Sequence, residues 1–158
     1  MLPQTRGTAL YQFEVSQAGV LYLDLLSYTG FANQPTSLHR DDGLALKGAW
    51  VGAAVRCAPP DNKPTNEERD GCRQYLRREL DLLPDLRVVV CLGNFAYQAA
   101  TEYFGIRPRP KFGHGVEVTH ESLTLICSFH PSQQNTFTGK LTEPMIDAVF
   151  ARARELVD

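Results

Sequence analysis

Arg87-Val88-Val89-Val90-Cys91-Leu92-Gly93-Asn94-Phe95-Ala96 is the stretch on which the architecture turns. An apolar run this short, rich in valine, must be covered on both faces, so Arg87 to Leu92 reads as a central strand. Gly93 opens a turn. Asn94 is placed to cap a helix running to Phe104, with Gly105 as its stop. Upstream, the Thr65 hydroxyl can cap a helix while Glu68 reaches back, and Cys72, Leu76, Leu80 and Leu83 supply its apolar stripe up to Pro84. Ala49 to Val55 suits a buried strand closed by Pro59 and Pro60, and Val15 to Leu26 has helical apolar spacing broken by Gly19. Downstream, Leu123 to Phe129 is another buried strand and His130 to Gly139 a polar loop. Thr142 can cap a last helix whose Met145, Ile146, Val149, Phe150, Ala153 and Leu156 share one face. Strand, helix, strand, helix, strand, helix predicts an α/β fold with a mostly parallel sheet and helices on both faces.

The 158 residues suffice for one core, since a domain of this size buries roughly 70% of its unfolded surface. With 16 Lys and Arg against 18 Asp and Glu, the net charge is −2, so no chain-wide positive field can hold a nucleic acid and any DNA contact must be local. No run approaches the roughly 18 to 20 apolar residues of a membrane span, and the start lacks a signal-peptide layout. A cytoplasmic protein with no membrane association is expected. The four cysteines, Cys57, Cys72, Cys91 and Cys127, contain no CxxC pair, which argues against a disulfide framework and leaves free thiols or metal ligands.

Ligands of open parallel sheets bind outside the carboxyl ends of the strands. Here those ends lead into the loops after Val55, Leu92 and Phe129, bringing Asn62, His130, Ser132, Gln134 and Asn135 into one candidate cleft. The His130 loop is rich in donors and could read a base edge or bind a phosphate, although such loops also simply cap and turn. The residues alone leave both readings open.

Ala53 to Thr65, Val88 to Ala96 and Ser128 to Thr142, with Phe31 to Ser37, Asp41 to Leu44 and Phe112 to Gly115 between them, are similar to the family 5 uracil-DNA glycosylases of the iron–sulfur type. The resemblance runs from about Leu21 to the C-terminus, so residues 21–158 are expected to form the glycosylase-like domain and residues 1–20 an atypical segment. It implies a three-layer αβα fold, uracil-containing DNA as partner, and removal of uracil, with other deaminated bases an open extension, in base-excision repair by a monomer. Such an enzyme turns the nucleotide out of the stack and reads its edge. His130 stands where the family's HisProSer motif places a donor beside the departing uracil, so stabilisation of charge on O2 is its implied role, by a neutral or a charged imidazole. Pro131 and Ser132 would press on the backbone, Gln134, Asn135, Thr136 and Phe137 would sit at the lesion, and Asn62 would line the site. Lys63 and Arg56 are phosphate contacts or solvated cations. His114 either touches substrate or stabilises a turn, and the basic run Arg107, Arg109 and Lys111, alternating with prolines, either tracks a nucleic-acid backbone or is a solvated face, and is not counted as a site.

Cys57 and Cys72 match half of the family's four-cysteine pattern for a 4Fe–4S cluster, and Cys91 and Cys127 lie in apparent strands as small hydrophobes. Family members begin their sheet with a strand ending in a GlyLeuAlaPro-like loop, and nothing here resembles it. The expectation is a first strand region missing or replaced, a half-specified cluster, and a poor or inactive enzyme. The competing reading is a non-catalytic DNA-binding remnant. A nucleotide-binding domain unrelated to repair is weakened because no GxGxxG or GxxxxGK[ST] loop follows a strand.

Overall fold

The structure is a computed structural model that describes residues 29–36, 38–39, 41–54 and 65–158. The expected helix over Val15 to Leu26 lies outside the described residues, as do Arg56, Cys57, Asn62 and Lys63.

Helix α1 spans Asn66–Asp81 and begins on the predicted capping box, with the Thr65 hydroxyl accepting from Glu68 N at 3.1 Å and the Glu68 carboxylate accepting from Thr65 N at 2.7 Å. Strand β1, Val88–Leu92, leads through Gly93 into helix α2, Asn94–Tyr103. The sequence reading gave the cap to Asn94. The structure gives it to Gly93, at φ 95°, and no side chain caps this helix. Asn94 is already helical, so its amide cannot fold back on the first turn. Gly105, at φ 67°, follows the helix as expected.

Strand β2, Glu117–His120, and strand β3, Leu123–Ser128, form a hairpin, and the sheet order is β1-β3-β2. β1 and β3 are parallel, with Cys91 opposite Cys127, whereas β2 runs antiparallel to β3. The described sheet is therefore mixed. β2 escaped the sequence reading because its turn carries Glu121 at φ 55° where an Asn-Gly signal would have announced a hairpin. Ala49 to Val55 was expected as a strand, but residues 49–54 form none, since no described neighbour pairs with their backbone. Instead a shorter antiparallel contact links Ala32 to Leu46, fastened by Lys47 N to Phe31 O at 2.8 Å.

Helix α3, Gln133–Phe137, and helix α4, Glu143–Val157, complete the elements. The two faces of the sheet alternate in their coverage. Val88, Val90, Leu92 and Ile126 pack with Ile146, Val149, Phe150 and Ala153 of α4. Val89, Cys91, Leu123, Leu125 and Cys127 pack with Tyr97 and Ala100 of α2. That period of two is the reason a continuous apolar strand needs two covering helices. α1 holds to α2 by polar contacts, among them Arg73 to Glu102 at 2.8 Å, and buries none of its residues fully.

Candidate active site

Parallel strands β1 and β3 end side by side, which sets Gly93 against His130. A Cβ on Gly93 would stand 3.2 Å from the His130 Cβ, tighter than ordinary contact, so the glycine both adopts the left-handed backbone and admits the histidine. The His130 carbonyl accepts from Ser132 N at 2.8 Å and from the Asn135 side-chain amide at 2.9 Å. Those two bonds fix the turn that presents the imidazole. Its ring nitrogens take no hydrogen bond among the described residues, leaving a donor for a ligand. The residue is exposed by surface area, yet the protein packed around its ring lowers its pKa below the usual histidine value by desolvation. The neutral imidazole is thus favoured near pH 7, with one N–H to give.

The segment read as loop contains α3. Ser132 caps it, its hydroxyl accepting from Asn135 N at 3.3 Å, and Thr136 Oγ1 donates to Ser132 O at 3.0 Å. The cap was legible in Ser-Gln-Gln-Asn, but five residues are too few for a periodic stripe. Pro131 is buried, while Gln134 and Phe137 are exposed, Phe137 at 68%. The structure thus brings together His130, Pro131, Ser132, Gln134, Asn135 and Phe137 around one turn and one short helix. Ser132 and Asn135 also serve the turn itself. The placement of Asn62 lies outside the described residues.

His114 is engaged on both sides of its ring, with Phe129 N donating to Nδ1 at 3.2 Å and Nε2 lying 3.2 Å from Met145 O. The first bond requires an unprotonated Nδ1, so Nε2 carries the proton and donates. His114 therefore ties β3 to the start of α4, the turn-stabilising alternative of the sequence reading. Around it Phe129 meets Phe112 at 6.4 Å and His114 at 5.2 Å between ring centroids, and Lys140 lies over its ring at 4.9 Å. This aromatic cluster around Phe129, the residue before His130, went unread in the sequence, because three residues scattered over 112–129 show no common period.

Cys91 and Cys127 are buried, and burial pushes their thiols up to about 12 and about 11 respectively. Both pack within the cluster between the sheet and α2. Cys72 is half-buried on α1 and free, and its expected companion Cys57 is outside the described residues. Among the described residues no group of three His, Cys, Asp or Glu could hold a metal ion, so they do not by themselves make a cluster site.

The sequence profile described as "Uracil DNA glycosylase superfamily" matches residues 15–154. A Type-5 uracil-DNA glycosylase of Mycobacterium bovis is 44% identical over 136 residues, covering 83% of this chain and 50% of its own. One of Thermus thermophilus is 42% identical over 149 residues, covering 91% and 66%, and one of Pyrobaculum aerophilum is 39% identical over 124 residues, covering 78% and 54%. The chain spans about half the length of the first of these relatives and up to 66% of the second.

Proposed function

Because this chain belongs to the uracil DNA glycosylase superfamily, we propose that it removes uracil from DNA by hydrolysing the N-glycosidic bond. The observation that carries the reading is His130, presented at the joined ends of β1 and β3 by two bonds to its carbonyl, with an imidazole that takes no hydrogen bond among the described residues. As the glycosidic bond breaks, its electron pair moves onto uracil, water forms the new bond to the sugar C1′ and gives up a proton to solvent, and a neutral His130 N–H donates to the uracil oxygen where charge collects. The proton need not transfer for this to lower the barrier. We assign the DNA-facing roles to Asn62, Pro131, Ser132, Gln134, Asn135 and Phe137. Exposed Phe137 has the character of a wedge that fills a gap left by a flipped nucleotide.

We further read the mixed sheet, covered by α2 and α4, as part of a three-layer αβα fold whose central sheet is mostly parallel. The resemblance supports Cys57 and Cys72 as two of four thiolates of a 4Fe–4S cluster. A monomer in the cytoplasm is the matching expectation. No described helix is long and apolar enough to cross a membrane.

Single-turnover release of uracil from double-stranded DNA tests the reading. The parent should release the base, slowly if the cluster stays half specified, and His130→Ala should do so at least about tenfold more slowly still, below the usual loss for removing such a donor. Equal rates would remove His130 from the mechanism. DNA binding without any release by the parent would favour the non-catalytic reading.

A further inference from the structure

We propose that the strap carrying Arg109 and Lys111 is a track for DNA backbone phosphates beside the His130 loop. This rests on the glycosylase reading and adds a binding surface to it. The chain's net charge of −2 requires that any phosphate contact be made by a local set of cations. Where such a set stands is a matter of tertiary structure.

The strap is fastened to the candidate site by three contacts. The Tyr97 hydroxyl, on the first turn of α2 beyond Gly93, donates to Pro110 O at 2.9 Å. The Phe112 ring lies 5.9 Å from that of Tyr97 and 6.4 Å from that of Phe129, the residue before His130. Pro110 is thus pinned at the carboxyl end of the sheet, with Arg109 and Lys111 on either side of it. Both cations are exposed. Neither belongs to any ion pair among the described residues, a condition they share with Arg77 and Arg78 of α1, so it is their fastening near the His130 end that sets them apart.

A solvated basic face usually needs no fixed backbone. Here the backbone is held, and Pro108 and Pro110 restrict it further. A backbone already held spares the main-chain part of the ordering cost when these cations bind, which favours a regularly spaced anion such as a nucleic-acid backbone. The positive charge of the strap and its anchoring to the His130 end point the same way.

The test is the salt dependence of binding to an undamaged DNA duplex, followed by fluorescence anisotropy between about 50 and 200 mM salt. The parent is compared with Arg109→Gln/Lys111→Gln and with Arg77→Gln/Arg78→Gln on α1, which removes the same charge elsewhere. Loss of two phosphate contacts should lower the slope of log affinity against log salt by about 1.8 in the first variant. The α1 variant should keep the parent's slope. An unchanged slope in the first variant, an equal loss in the α1 variant, or no salt-dependent binding by the parent would each overturn the track. Uracil release by the parent, measured alongside, decides separately whether the glycosylase reading stands.

Discussion

Gly93 carries more of the site than its lack of a side chain suggests. It ends β1, starts α2 at φ 95°, and leaves the space that His130 occupies. Gly93→Ala would impose both left-handed strain and a Cβ contact at 3.2 Å with the histidine. Destabilisation of about 1 kcal/mol or more is expected, since alanine at positive φ costs more than the usual glycine-to-alanine gain. Because His130 must shift, uracil release should fall further than the loss of folded protein explains. Urea unfolding with single-turnover kinetics checks both, and an undisturbed rate in a folded variant would sever the link between the two residues. The glycine was legible in the sequence as a turn. Its approach to a residue 37 positions away was not, because that contact exists only once two strands align.

Helix α1 shows an element whose start is written locally. Thr65 and Glu68 lie three apart and satisfy each other's neighbouring backbone donors. Thr65→Ala should cost about 1 kcal/mol in urea unfolding, within the range for losing such a cap. A change under about 0.3 kcal/mol would mean that solvent replaces the cap fully. The starts of α2 and α4 have no side-chain cap, although Asn94 and Thr142 invited the expectation. Those helices are held by packing against the sheet, so the cap is dispensable. β2 was missed for the opposite reason, as its stability comes from pairing with β3 across a turn of unremarkable composition.

Across the whole molecule, His130 also couples the fold to pH. Its folded pKa is lowered from 6.5 by desolvation, so the unfolded chain binds more protons in the window just below that value. Stability from this group is complete above about pH 6.5 and is lost as pH falls through it. The thermal midpoint of the parent should therefore drop more steeply between about pH 7 and 5 than that of His130→Gln. Parallel profiles would show that the imidazole is as well solvated folded as unfolded. The same desolvation keeps His130 neutral near pH 7, where its proposed role needs an N–H and no charge.

By itself, the sequence determined the valine-rich β1, the capping box of α1 and the apolar face of α4. Each is encoded within a few neighbours, by period, by a three-residue spacing or by a contiguous motif. Only the tertiary structure decided the antiparallel β2, the non-strand course of residues 49–54 and the aromatic support of His114, Phe112 and Phe129. A backbone-tracking role for the basic run 107–111 was open in the sequence, but only the fold ties Pro110, between Arg109 and Lys111, to Tyr97. Pairing partners and ring contacts join residues far apart in the chain, and no local pattern records which surface will meet which.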